Sequence, residues 1–107
     1  VVVAAGVITD VDRNALRALT DQLLRRFERA VVALGAEIDG KAALVVMVSS
    51  DETKHFPARQ LAQELAAIVE GSGGGRLNMA EAGGKNPARL GEAVAALPGI
   101  VAKLAAR

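Results

Sequence analysis

The chain of 107 residues contains no cysteine, tryptophan or tyrosine, one histidine, three prolines and two phenylalanines. Without cysteine there is no disulfide framework, no thiolate nucleophile and no cysteine-held zinc. His55 alone cannot build a histidine-rich metal site, and no nucleophile-elbow glycine pattern lies near it to suggest a serine–histidine–acid triad. With only Phe27 and Phe56 aromatic, a sheet that stacks bases on its side chains has almost nothing to stack with. An excess of one charge is also lacking. Thirteen Lys and Arg stand against 12 Asp and Glu, a net charge of +1, so any nucleic-acid contact must be a local patch. The longest apolar runs, Ala42–Val48 and Ala93–Leu97, are far too short to cross a bilayer. No basic leader precedes an apolar run with a cleavage site, so a cytoplasmic location with no membrane partner is expected.

What is present reads as one domain. The composition is 51% hydrophobic with no charge block, which argues against global disorder. The length sets an expectation of one core over residues 1–107, with no internal repeat or linker. The chain opens on Val1 inside an apolar run, from which a fragment of a longer protein is expected.

Val1–Ile8 is β-branched with Gly6 inside it and reads as a strand buried on both faces. Asp10 and Asp12 stand where a helix N-cap belongs. Leu16, Leu19, Leu23, Leu24 and Phe27 then follow at helical spacing, while Arg17, Asp21, Gln22, Arg25 and Arg26 face elsewhere. Ala30–Glu37 and Lys41–Ser49 are β-rich runs joined by Asp39-Gly40, a hairpin signal because a type I′ turn needs positive φ at both central residues. A polar stretch, Ser49–Phe56, ends at Pro57, a favoured first helical residue. Leu61, Leu65, Ile68 and Val69 mark a helix closed by Gly71. Asn86-Pro87 supplies another helix start, Leu90, Val94 and Leu97 make the next apolar face, and Pro98-Gly99 is expected to interrupt it. The order predicts an α/β domain: a mixed parallel and antiparallel sheet of about four to five strands with helices packed on it.

Six of the chain's 11 glycines fall within Gly71–Gly84, and this segment reads as a glycine loop with a short strand inside it. Gly73-Gly74-Gly75-Arg76 and Gly83-Gly84-Lys85 each abut a cation. Residues without side chains let backbone N–H groups approach a ligand closely, and Arg and Lys suit phosphate as a flat fork and a mobile point charge. The competing reading is a flexible loop with a helix cap. Neither the phosphate-loop pattern nor the dinucleotide fingerprint is met, so no ATP or NAD site is expected here. From Gly71 to Gly91 the cations are Arg76, Lys85 and Arg89, with Glu81 the only acid, and Lys54, His55 and Arg59 join them if their loop shares that edge. His55, Asp51 and Glu52 read as ordinary loop residues rather than as catalytic groups.

The run Gly73-Gly74-Gly75-Arg76-Leu77-Asn78-Met79-Ala80-Glu81-Ala82-Gly83-Gly84-Lys85-Asn86-Pro87 resembles the signature of the C-terminal domain of bacterial alanyl-tRNA synthetases. It also resembles the related domain associated with DHH phosphoesterases. The resemblance covers essentially Leu16 to Leu97 and is most specific at the paired glycine motif. It departs at Leu77, Asn78 and Glu81, where the family often has proline, aspartate and glutamine.

The resemblance implies a tRNA-binding accessory module with no catalytic residue and no cofactor of its own. It would engage the elbow of tRNA(Ala) and support aminoacylation and editing carried out by other domains of the parent synthetase, where ATP and zinc belong. Gly73, Gly74, Gly75, Arg76, Gly83 and Gly84 match the motif and inherit its contact role, Lys85 matches the cation after it, and Arg89 extends the basic patch. Two alternatives stand beside this reading. One is the substrate-binding domain of a DHH-type phosphoesterase, against which Arg76 argues because histidine often follows the three glycines there. The other is a homodimerisation module, whose sign would be an exposed apolar strand or helix face.

Overall fold

Short-range chemistry sets the first elements. Asp12 Oδ1 accepts a hydrogen bond from Ala15 N at 2.8 Å and caps a helix, while Asp39 (φ 54°) and Gly40 (φ 76°) make the tight turn between two strands. The computed structural model describes residues 1–106. Among them the elements run β1 (Val2–Val7), α1 (Arg13–Leu24), β2 (Ala30–Ile38), β3 (Lys41–Val48), α2 (Ala58–Ile68), β4 (Gly71–Gly75), β5 (Met79–Gly84) and α3 (Leu90–Ala105). Short 3-10 turns lie at Ser50–Glu52 and Pro87–Arg89. The strands form one five-stranded sheet in the order β1-β2-β3-β5-β4. β1 runs parallel to β2 and each of the other neighbouring pairs is antiparallel, the mixed sheet and α/β class that the sequence predicts.

Alternation along the strands divides the core between two faces. Val31 and Ala33 on β2, Ala42, Leu44, Val46 and Val48 on β3, and Ala80 and Ala82 on β5 point to one side. There α2 lies against β4, β5 and β3, and α3 against β1 and β2. The opposite set, Val32 and Leu34 on β2 with Ala43, Val45 and Met47 on β3, meets α1 alone. α1 covers β2 and β3 and forms no packed layer over β5 and β4. One side of the sheet is roofed by two helices and the other only along its middle.

Several expectations are corrected. β1 is an edge strand rather than one buried on both faces, with Val2 and Val7 exposed, because only β2 pairs with it. On α1, Leu16 and Thr20 are buried, but Leu19 is exposed and Leu23 and Leu24 are half-buried. The stripe overhangs the sheet, and a cleft of about 300 Å³ lined by Ile8, Leu19, Gln22, Leu23, Arg26 and Leu34 opens beneath it. α2 begins at Ala58, with Pro57 as its N-cap. Its end uses Glu70, not Gly71, in the left-handed region (φ 60°). Asn86 caps without a side-chain bond to the following turn. Its Nδ2 instead donates to Glu70 Oε2 at 2.7 Å. Nor does Pro98-Gly99 interrupt α3. Both residues face solvent, while Ala93, Val94, Leu97, Val101 and Leu104 keep one buried stripe across them, and that packing outweighs the local cost of proline.

Candidate nucleic-acid interface

The glycine segment is a β-hairpin, not a loop with a strand inside it. Gly71 pairs with Gly84, Gly73 with Ala82, Gly74 with Glu81 and Gly75 with Ala80, and Arg76 N donates to Met79 O at 2.8 Å to close the turn. Glycine is a poor strand former alone. It is held here because β5 is zipped to β3 from Ala42↔Gly84 to Met47↔Met79 and then carries β4 as the outer strand.

Register separates the predicted glycines into distinct groups. Gly71, Gly73 and Gly75 share the α2 side with Ala80, Ala82 and Gly84, whereas Ser72 and Gly74 share the α1 side with Glu81 and Gly83. A Cβ on Gly73 would lie 2.9 Å from Ala62 O of α2, and one on Gly84 would lie 2.2 Å from Val69 O. Gly75 adopts φ +149°, and a Cβ there would lie 2.6 Å from Ala80 Cα. A Cβ on Gly74 would meet no described atom within 4 Å, and one on Gly83 would meet only Ala42 O at 3.6 Å. Gly73 and Gly84 therefore let α2 close on the sheet, and Gly75 lets the hairpin turn. Gly74 and Gly83 form a bare backbone ledge beside α1.

The cations are spread along this ledge rather than gathered at one point. Arg76 stands at the hairpin tip and Lys85 follows the far end of β5, so a strand rise of ~3.3 Å per residue puts them about 20 Å apart. Neither side chain is held by an ion pair among the described residues. The tip is fixed to the start of α2, where Ala58 N donates to Leu77 O at 2.8 Å, and to the end of β3, where Val48 N donates to Asn78 O at 2.9 Å. Lys54 and His55 lie in the segment that joins these two anchors and Arg59 in the first turn of α2, which packs on the face of the sheet opposite the ledge. At the Lys85 end, β3 begins with Lys41, one residue before the Ala42↔Gly84 pair.

Arg89 is not a free cation: it is ion-paired with Glu92. Its pKa is raised by that hydrogen bond first, by the Glu92 charge next and to a lesser degree by Glu70, while Glu92 is held below the usual carboxylate range by the same hydrogen bond. Glu70 and Glu92 lie just outside the Gly71–Gly91 window, so a count along that window misses the acids that neutralise this end.

A basic residue of α1 was not singled out in the sequence as part of the site. Arg17 Nε donates to Glu81 Oε2 at 2.8 Å, from α1 to the ledge side of β5, which raises the pKa of Arg17. The partners are 64 residues apart, and only the sheet order brings them together. The described residues contain no group of three or more His, Asp or Glu placed to hold a metal ion, and no helix long and apolar enough to cross a membrane. Among the described residues, the glycines and cations singled out in the sequence lie along an open strand pair.

Comparison with known proteins identifies the family of the fold. The family model of the DHHA1 domain matches residues 1–103. The chain is 51% identical over 96 residues to an alanine–tRNA ligase of Anaeromyxobacter dehalogenans, covering 90% of this chain and 10% of that protein. It is 47% identical over 92 residues to that of Desulfosudis oleivorans, covering 86% and 10%. It therefore spans about a tenth of the length of these curated relatives. Among solved structures it is similar to the C-Ala domain of Aquifex aeolicus alanyl-tRNA synthetase, with a TM-score of 0.85, 32% identity, and 92% of this chain and 89% of that one covered.

Proposed function

The chain belongs to the DHHA1 domain family and, within it, to the C-terminal C-Ala domains of alanyl-tRNA synthetases, and on that footing we propose that it is an accessory RNA-binding domain of an alanine–tRNA ligase that holds the elbow of tRNA(Ala). The observation that carries this reading is the bare ledge of Gly74 and Gly83, with Arg76 at one end and Lys85 and Lys41 at the other. Folded RNA is read largely by shape and by sugar and phosphate contacts, and a strand pair without side chains lets a nucleotide approach the protein backbone directly. Gly74, Gly83, Arg76 and Lys85 make the contact in this reading, and Gly75 shapes the turn that presents Arg76. Gly73 and Gly84 hold the ledge against α2, and Arg89 contributes when Glu92 releases it.

With few unpaired cations, the isolated domain binds weakly and with a shallow salt dependence. In a longer chain that already grips the acceptor stem, effective concentration makes up the difference. Aminoacylation and editing, with the ATP and zinc they use, belong to other parts of the parent protein, in the cytoplasm.

The test is a titration of the 107-residue chain with tRNA(Ala) at low salt, followed by backbone amide shifts. Shifts confined to the ledge and hairpin tip, and weakened by a transcript whose D and T loops no longer dock, support the reading. A folded domain with no shifts there sinks it.

One observation favours a second role, pairing with another copy. β1 is an uncharged edge strand with Val2 42% and Val7 45% exposed, beside the apolar cleft under α1. Such an edge is open to further strand pairing. Sedimentation over a wide concentration range decides this role, and a monomer throughout removes it.

A further inference from the structure

α1 supplies a second wall to the ledge. Arg17 uses Nε on Glu81 and Nη1 on Asn14 Oδ1 at 3.2 Å, and its Nη2 meets no acceptor among the described residues. Glu81 is the ladder partner of Gly74 and lies two residues before Gly83 on the same face, so the ion pair borders the bare surface rather than the core. The pair remains accessible, with the Arg17 side chain 42% exposed and that of Glu81 27%. Arg13, exposed one turn earlier on α1, continues the stripe toward the end where Lys41 and Lys85 stand.

A guanidinium held through Nε by one carboxylate still presents N–H groups to a second anion, and its plane is fixed before that anion arrives. Ordering a long side chain in advance removes part of the entropic cost of binding. A lysine could supply the charge but not the two-sided geometry.

We infer that Arg17 is an RNA-phosphate contact and that Glu81 is its positioning residue. A phosphate of the strand lying on the Gly74–Gly83 face bonds the outer edge of the guanidinium while Glu81 keeps the inner edge. The inference rests on the reading of that face as the RNA surface, and it adds α1 to an interface that the glycine motif alone would confine to the hairpin.

The experiment measures the affinity of the chain for a tRNA(Ala) transcript over a series of salt concentrations. Arg17→Ala weakens binding about fivefold to tenfold and makes the log–log salt slope shallower by about 0.7–0.9, the signature of one lost phosphate contact. Arg17→Lys keeps the slope and loses about threefold, because the charge remains and the fork does not. Glu81→Gln and Glu81→Ala both remove the negative charge, but only glutamine leaves an oxygen for Nε. Glu81→Gln therefore binds about threefold tighter than Glu81→Ala, and the difference disappears when Arg17→Ala is present in both. Amide spectra of each variant confirm the native fold.

Wild-type slope and affinity in a folded Arg17→Ala variant overturn the inference while leaving the ledge reading intact. Equal binding by Glu81→Gln and Glu81→Ala removes the positioning role. A wild-type chain that does not bind the transcript at all sinks the reading of the face, and this inference with it.

Discussion

Gly73 and Gly74 follow one another in β4 and face opposite sides of the sheet, and their surroundings have nothing in common. Behind Gly73, α2 presents Ala58, Ala62 and Ala66, each fully buried, at a spacing of four residues. Small residues on both surfaces allow the helix backbone to come so near that the missing Cβ would stand 2.9 Å from a helix carbonyl oxygen. In front of Gly74 there is no described atom within 4 Å of the same construction. The first glycine is required by packing inside the protein, whereas nothing in the fold requires the second. Gly74 is thus an open strand position that a side chain could fill without cost to the packing, and it is where the proposed RNA contact can be tested apart from stability.

The largest effect is expected on the packed side. Gly84→Ala drives a Cβ to 2.2 Å from Val69 O and 2.6 Å from Val69 Cγ2, and backbone cannot rotate away as a side chain can. Overpacking of this kind costs about 3 kcal/mol or more, read as a lowered midpoint in chemical denaturation. An unchanged midpoint would mean that α2 and the hairpin are looser than the structure places them. Gly75→Ala comes next, at about 2 kcal/mol, since a side chain at φ +149° is strained and would also press on Ala80. Its displacement of Arg76 should weaken RNA binding as well, so it perturbs both sides of the comparison.

Gly74→Val separates the two sides most sharply. Removing glycine from a strand restricts the unfolded chain, and a β-branched residue suits an extended backbone, so stability should hold or rise by about 0.4–1 kcal/mol. The same side chain would stand where the RNA is proposed to lie, with an expected loss in affinity of about tenfold. A variant that melts higher and still binds as well as the parent would move the interface off this face.

What could be read in the sequence follows from how local each cause is. The Asp39-Gly40 turn and the Asp12 cap depend on residues a few positions apart, and both are where the sequence predicts them. β3 is legible because seven consecutive apolar residues can only be buried on both faces. The glycine hairpin is not legible as strand, because glycine's own preference argues for a loop and the pairing that overrides it comes from β3, whose residues precede their β5 partners by 32 (Met47↔Met79) to 42 (Ala42↔Gly84) positions. The division of the motif into packed and open glycines needs the register and the position of α2. The Arg17–Glu81 contact needs the sheet order, and Arg89 could not be separated from the free cations without the turn that brings Glu92 to it.

The two ends of the ledge extend the comparison to smaller effects. Arg76 and Lys85 are too far apart to share a phosphate, so Arg76→Ala and Lys85→Ala should each weaken binding by a few-fold. Combined, their free-energy costs should add to within about 0.5 kcal/mol. Strong coupling would require the RNA to bring the two ends into one site.

The smallest effect concerns Arg89 at the Lys85 end. Arg89 holds the Glu92 carboxyl below its ordinary pKa, and Glu92 also lies in the first turn of α3, where a negative charge is favoured. A carboxylate whose pKa is depressed on folding contributes stability that is fully present above its unfolded pKa and is lost as pH falls through the depressed folded value. The contribution is small because both groups are exposed to water. Wild type should therefore melt slightly above Glu92→Gln at neutral pH, and the two curves should converge on acidification. The same substitution frees Arg89, so RNA affinity should move the other way, rising slightly at neutral pH while the domain becomes slightly less stable. If stability and affinity fall together, Arg89 lies outside the contact surface and the basic end of the ledge stops at Lys85.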